Sequence, residues 1–162
     1  MDKEDLSVIF SHKTDDWATP QWLFDKLNKT YHFTLDPAAS DGNHKCSKYY
    51  TEQTDGLSKD WNNETVFINP PYSKIYDWVK KAVEEVNKNN ITVVMILPVR
   101  SDTKWFHEFC LDETVCSEIA FFKGRLKFGE GKNSAPFPSM MVVFNKSGKT
   151  GTLFRSVPNK ST

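Results

Sequence analysis

The 162-residue sequence predicts a single α/β domain: a mostly parallel sheet flanked by helices, with an antiparallel hairpin at its C-terminal end. Three observations predict it. First, Thr65-Val66-Phe67-Ile68 is a short apolar run halted by Asn69-Pro70-Pro71, the pattern of a strand buried on both faces. Second, Ile75, Trp78, Val79, Ala82, Val83 and Val86 recur at helical spacing, leaving Lys80, Lys81, Glu84 and Glu85 for the outer side, and an apolar run at 91–97 completes a βαβ unit with parallel strands. Third, residues 118–128 and 139–144 are apolar or alternating runs joined by a turn-rich connection at 129–136, long enough to reach a ligand.

The remaining elements follow in order. Thr19-Pro20 opens a helix that runs through about Asn28, since Thr can cap free backbone N–H groups and Pro suits a first turn. Residues 33–35 read as a short strand that ends in the loop Asp36-Pro37-Ala38-Ala39, rich in small and polar residues through Asn43. Residues 101–111 read as a helix capped by Ser101 or Asp102, with Trp105, Phe106 and Phe109 facing inward. Residues 14–145 are the expected folded domain; 1–13 and 146–162 are polar, short of core residues and read as mobile tails.

Composition narrows the classes. Lys+Arg and Asp+Glu both number 21, so no global positive charge holds a polyanion, and any nucleic-acid site must be local. Cys46, Cys110 and Cys116 are odd in number and lack Cys-x-x-Cys spacing, which argues against a disulfide framework and a zinc site and fits a reducing cytoplasm. His107-Glu108-Phe109-Cys110 has no second ligand pair at suitable spacing, so no metal is expected. The N-terminus has the features of neither a secretory signal nor a membrane span, which predicts a soluble intracellular protein with no membrane partner.

The sharpest chemical signal is Asn69-Pro70-Pro71-Tyr72 directly after a buried strand, because ligands of α/β sheets bind beyond the carboxyl ends of strands. Two prolines make the segment stiff and remove two N–H donors, leaving acceptors. An aromatic amino group is a poor nucleophile while its lone pair is delocalised into the ring. The Asn69 side-chain oxygen and the Pro70 carbonyl, aimed at its two hydrogens, would draw it toward a tetrahedral form that can attack a methyl sulfonium. Tyr72 would stack on the base, and a nucleotide in duplex DNA would have to be flipped out to reach it.

These residues resemble the amino-group DNA methyltransferases, in particular the small adenine methyltransferases of bacteriophages. The likeness extends from about Asp16 to Phe144. It implies a Rossmann-like fold dependent on S-adenosylmethionine, without a separate target-recognition domain, that transfers methyl to the N6 amino group of adenine in double-stranded DNA. Asp16-Trp17-Ala18-Thr19-Pro20 is similar to the family's opening segment against the cofactor. Asp36, Pro37, Ala38 and Ala39 are similar to its first cofactor loop, and Asp55, Gly56 and Leu57 to the segment that meets the cofactor's adenine. By this resemblance Trp17, Thr19, Pro20, Asp36, Pro37, Ala38, Asp55, Gly56, Leu57 and Asn69 bind the cofactor, while Asn69, Pro70, Pro71 and Tyr72 form the catalytic tetrapeptide. Gly124 to Phe128 and Ser134 to Phe137 look like a closing hairpin beside the base pocket.

Asp36 and Asp55 can accept from an ammonium and an adenine amine, and Ala38 and Ala39 allow close backbone approach. The family's Gly-rich turn is represented only by Ser40-Asp41-Gly42-Asn43, and the dozen residues before Asp55 are too few for a full helix and a second strand carrying an acidic residue for the ribose. Lys123, Arg125 and Lys127, alternating on a strand, together with Lys132 and Arg100, are the expected phosphate contacts; Asn133 and Ser134 are candidate base readers. The phage resemblance places the protein in a bacterial host's cytoplasm, encoded by a phage or prophage. Competing readings are methyl transfer to cytosine N4, to an RNA base or to a protein amide, and a non-catalytic DNA-binding relative. Oligomeric state and recognition sequence are not legible.

Overall fold

A computed structural model describes residues 17–129, 134–146, 148 and 151–159. Seven strands form one sheet in the order β2-β1-β3-β4-β6-β5-β7, where β1 is Leu35–Asp36, β2 Lys48–Tyr49, β3 Thr65–Ile68, β4 Thr92–Pro98, β5 Cys116–Phe122, β6 Ser139–Phe144 and β7 Leu153–Val157. The pairs β1–β2, β1–β3, β3–β4 and β5–β7 are parallel; β4–β6 and β5–β6 are antiparallel, the expected hairpin.

Alternation along the strands separates two cores. Val93, Met95 and Leu97 of β4 join Val66 and Ile68 of β3 beneath the helix α2 (Ile75–Asn89), which contributes Ile75, Trp78, Val79, Ala82, Val83 and Val86. Val94 and Ile96, with Phe67, face the other way onto the helix α1 (Gln21–Tyr31) through Leu23, Phe24 and Leu27. Helices on both faces explain why β3, β4 and β6 read as continuous apolar runs.

Several expectations are corrected. Thr19 does not cap α1: Pro20 holds the cap position with no side-chain hydrogen bond, and its carbonyl accepts from Leu23 and Phe24 at 3.1 and 3.2 Å. The helix runs three residues past Asn28, to Tyr31, and stops where His32 turns left-handed at φ 55°. The 101–111 segment forms a turn followed by a π-helical turn, Phe106–Cys110, with Trp105 and Phe106 buried and Phe109 half-buried. β5 ends at Phe122 rather than Phe128, because Gly124 takes φ 75° and turns the chain out of the ladder. Part of the expected C-terminal tail supplies β7, whose partner along the sheet is β5; a five-residue strand set among polar residues, with only Val157 buried, carries little core signal.

Glu85, assigned to the outer face of α2, is buried at 3% exposure. The segment after the 3-10 turn Gly56–Ser58 lies over it, so its carboxylate accepts from the Trp61 backbone N–H at 3.0 Å, Lys81 Nζ at 2.7 Å and Asn89 Nδ2 at 2.6 Å. Lys81 in turn reaches the Lys59 carbonyl at 2.6 Å and lies over the Trp61 ring. Removing the carboxylate strands these donors, so Glu85→Ala is expected to cost about 3 kcal/mol in urea unfolding. Glu84→Ala, which loses only an exposed pair with Lys80 at 3.9 Å, should cost less than about 0.5 kcal/mol. Equal midpoints for the two variants would contradict this account.

Candidate active site

A cavity of about 540 Å³ opens at the carboxyl ends of β2, β1 and β3, which lie side by side in the sheet. Its walls come from the loop after β1, from residues just beyond β2, from Asn69, Pro70 and Pro71 after β3, from Trp78 on α2, and from Trp17 and Thr19 ahead of α1. Of the residues expected to hold the cofactor, Trp17, Thr19, Asp36, Pro37, Ala38, Asp55, Leu57 and Asn69 line the cavity. Pro20 and Gly56 are not among its lining residues.

Asn69 is the joint between two walls. Its Nδ2 donates to the Trp17 carbonyl and to Thr19 Oγ1, the latter at 3.0 Å. A carbonyl oxygen can only accept, so the amide is oriented by that contact. Its Oδ1 is buried and has no donor among the described residues. This explains why Thr19 is not a helix cap, since its hydroxyl is engaged by Asn69.

Asp36 closes β1 at 5% exposure. Its Oδ2 accepts from the Lys45 backbone N–H at 2.9 Å, and the Ala38 N–H also contributes. Burial outweighs these bonds and pushes the carboxyl up from 3.8 to about 6. The loop beyond it is fixed from outside: a Cβ on Gly56 would stand 2.1 Å from the Pro37 carbonyl oxygen, so only glycine allows the 3-10 turn this close. The Gly56 carbonyl accepts from Trp61 Nε1 at 3.1 Å, and Trp61 stacks on Trp78 of the cavity wall at 6.4 Å. Asp55, left-handed at φ 53°, faces the cavity from the start of that turn.

The region read as too short for a full helix and a second strand contains the two-residue β2, reached from β1 without an intervening helix. Glu52, three residues past β2, lines the cavity, as does Lys45. A two-residue strand carries no periodicity, so neither residue stood out in the sequence; the acidic residue soon after a strand end was the available signal.

Pro70 and Pro71 line the cavity, but Tyr72 does not. Tyr72 is buried at 7% exposure, its hydroxyl has no partner among the described residues, and burial raises its pKa. Phe137 meets its ring edge-on at 5.2 Å, and Phe137 also packs edge-on against Trp17 at 5.4 Å. Half-buried Arg100 lies over the Tyr72 ring.

Lys123, Arg125 and Lys127 are all exposed, while Leu126 and Phe128 between and after them are buried. The expected strand face is broken at exposed Gly124, and alternation resumes only from Arg125 to Phe128, a segment held by a bridge between Lys127 and Ser134 and by Asn159 Nδ2 donating to the Arg125 carbonyl at 2.7 Å. Ser134 is exposed; Lys132 and Asn133 lie outside the described residues, as does Asp16. Cys46, Cys110 and Cys116 are buried free thiols. Among the described residues no group of three or more His, Cys, Asp or Glu is placed to hold a metal, and no helix is long and apolar enough to cross a membrane.

The cavity fits S-adenosylmethionine on its own observations. Its volume is that of a small-molecule site, a buried carboxylate faces it for an ammonium, Trp17 and Trp78 offer aromatic walls, and an acceptor at Asn69 is unpaired. The fold agrees. The structure matches a Listeria monocytogenes protein assigned to the class I S-adenosylmethionine-dependent methyltransferases, with TM-score 0.59 over 98% of this chain and 72% of that one, at 11% identity.

Sequence relatives are more specific. The chain is 33% identical over 147 residues to the DNA N-6-adenine-methyltransferase of Haemophilus phage HP1, covering 86% of this chain and 83% of that protein. It is 41% identical over 96 residues to the enzyme of the same name from Escherichia phage T1, covering 58% of this chain and 40% of that protein. The family model for DNA N-6-adenine-methyltransferase (Dam) matches residues 7–161, nearly the whole sequence, and the chain belongs to that family.

Proposed function

We infer that the protein transfers a methyl group from S-adenosylmethionine to the N6 amino group of an adenine flipped out of double-stranded DNA, with the reaction centred on Asn69. The observation that carries this reading is the Asn69 amide, whose N–H groups are tied to Trp17 and Thr19 while Oδ1 remains an unpaired, water-shielded acceptor at the end of β3. An acceptor held in place before the substrate arrives needs no reorganisation when charge develops on the amine. Oδ1 and the Pro70 carbonyl accept hydrogen bonds from the two amine hydrogens and free the lone pair to attack the methyl carbon, and the one proton the amine sheds on methylation passes to solvent. The bound cofactor supplies an electrophilic methyl sulfonium. Asp36 would hold its ammonium, Asp55 would accept from its adenine amine, and Glu52, three residues past β2, would reach its ribose hydroxyls. Tyr72 stacks on the target base once its ring is uncovered, and Lys123, Arg125 and Lys127 contact the DNA backbone, with Lys132 among them and Asn133 and Ser134 beside the bases. The setting is the cytoplasm of a bacterial host, with a phage- or prophage-encoded enzyme.

Labelled methyl transfer to unmethylated duplex DNA, followed by nucleoside analysis, tests the reaction. The expected product is N6-methyladenine, and Asn69→Ala should lower kcat by about 10²–10³-fold, the usual loss when one preorganised polar partner is removed. Undiminished turnover in that variant would remove Asn69 from the chemistry, and label in cytosine would favour the alternative acceptor.

Asp36 yields a test that needs no turnover. Its folded pKa, about 6, lies above its ordinary 3.8, so the folded state holds the proton more tightly. That contribution to stability is full below about pH 4 and is lost as pH rises through 6; above it, the ionised carboxylate destabilises the cofactor-free protein by roughly 2–3 kcal/mol. Asp36→Asn should therefore raise the denaturation midpoint at pH 7.5 and change it little at pH 4. The same variant should bind S-adenosylmethionine at least about tenfold more weakly at pH 7.5, and wild-type affinity should fall as pH drops through 6. Calorimetry showing pH-independent affinity between 5 and 7.5 would exclude Asp36 as the ammonium partner.

A further inference from the structure

Tyr72 and Arg100 leave the sheet from neighbouring strands at the same edge. β3 and β4 pair in parallel with Ile68 opposite Met95; Tyr72 comes four residues after the end of β3 and Arg100 two after the end of β4. There the Arg100 guanidinium carbon lies over the Tyr72 ring, 5.9 Å from its centroid. The adjacent Val99 N–H donates to the Pro138 carbonyl at 2.9 Å, which ties this end of β4 to the segment bearing Phe137, the residue packed on the edge of the same ring. Arg100 is half-buried, unlike Lys123, Arg125 and Lys127, which stand exposed as backbone-phosphate contacts usually do.

Resting on the proposed reaction at Asn69, we propose that Arg100 forms the second face of the base site: the flipped adenine stacks between the Tyr72 ring and the Arg100 guanidinium. Planar groups in contact lie about 3.5 Å apart, so a base between two of them needs roughly 7 Å. The observed 5.9 Å is about 1 Å short of that. Tyr72 is packed into the core, whereas an arginine on its flexible stem can lift by that distance, so the opening falls to Arg100. A guanidinium suits the task because it is planar, delocalised and weakly hydrated; it stacks on aromatic and base faces, which an ammonium does not. Stacking of this kind holds any base, so Arg100 supplies grip and the amine-directed acceptors at Asn69 and Pro70 supply the choice of reacting group.

The test compares Arg100→Lys, Arg100→Gln and Arg100→Ala in the full-length protein, measuring kcat and KM on unmethylated duplex DNA, cofactor affinity, and the salt dependence of DNA binding. The proposal expects Lys to be as damaging as Ala, each lowering kcat/KM for DNA by about tenfold or more, with cofactor affinity and the salt slope unchanged. Gln, planar but uncharged, should retain more activity than Lys. Wild-type activity in Arg100→Lys, together with a salt slope reduced by about one in Arg100→Ala, would make Arg100 a phosphate contact and overturn the proposal. Full activity in all three variants would overturn it as well. A wild-type protein that transfers no methyl to DNA would instead sink the underlying reaction, an outcome visible before any variant is made.

Discussion

The side-chain amide of Asn69 uses its N–H groups to bind the Trp17 carbonyl and the Thr19 hydroxyl, residues some fifty positions away in the chain. That contact joins the segment before α1 to the end of β3 and so closes one side of the cavity. It also decides what the site can do. With its donors engaged, the amide presents only an acceptor, and the prolines that follow contribute no N–H of their own. Trp17, held by the same bond, packs edge-on against Phe128 and Phe137 and so ties the chain beyond β5 and before β6 to that wall of the cavity.

Two buried carboxylates show the division between scaffold and site. Glu85 has three donors, one of them the Lys81 ammonium, and it anchors the Trp61 segment to α2. Through Trp61 Nε1 and the Gly56 carbonyl this anchor holds the turn that presses on Pro37. Asp36, across that turn, is buried with backbone donors alone against it and keeps a raised pKa. A carboxylate short of partners is costly in the resting protein and ready for a cationic ligand, whereas a fully partnered one is rigid and inert to ligands. The cavity-facing acid is the less fully partnered member of the pair.

Much of the architecture was legible in the sequence because it rests on local pattern. The apolar run at β3, the helical spacing of α2 and the run at β4 specify a βαβ unit whatever surrounds them, and the proline pair marks where the chain leaves the sheet. The tetrapeptide and the Asp36 loop were legible for the same reason, being contiguous segments at strand ends. Elements with no period of their own were not: β2 has two residues, and β7 leaves most of its side chains exposed, so only pairing with β1 and β5 makes them strands.

What the sequence determined by itself, then, was the fold class, the family-like order of its motifs and the place of Asn69 at the end of a buried strand, since each is carried by residues adjacent in the chain. Tertiary structure alone decided that Thr19 serves Asn69 rather than a helix end, that Glu85 lies inside, that Glu52 and Lys45 face the cavity, and that Arg100 covers Tyr72. Each of these depends on two segments meeting across the sheet, and the partner that settles the role of a polar side chain is fixed by packing, which no local pattern encodes.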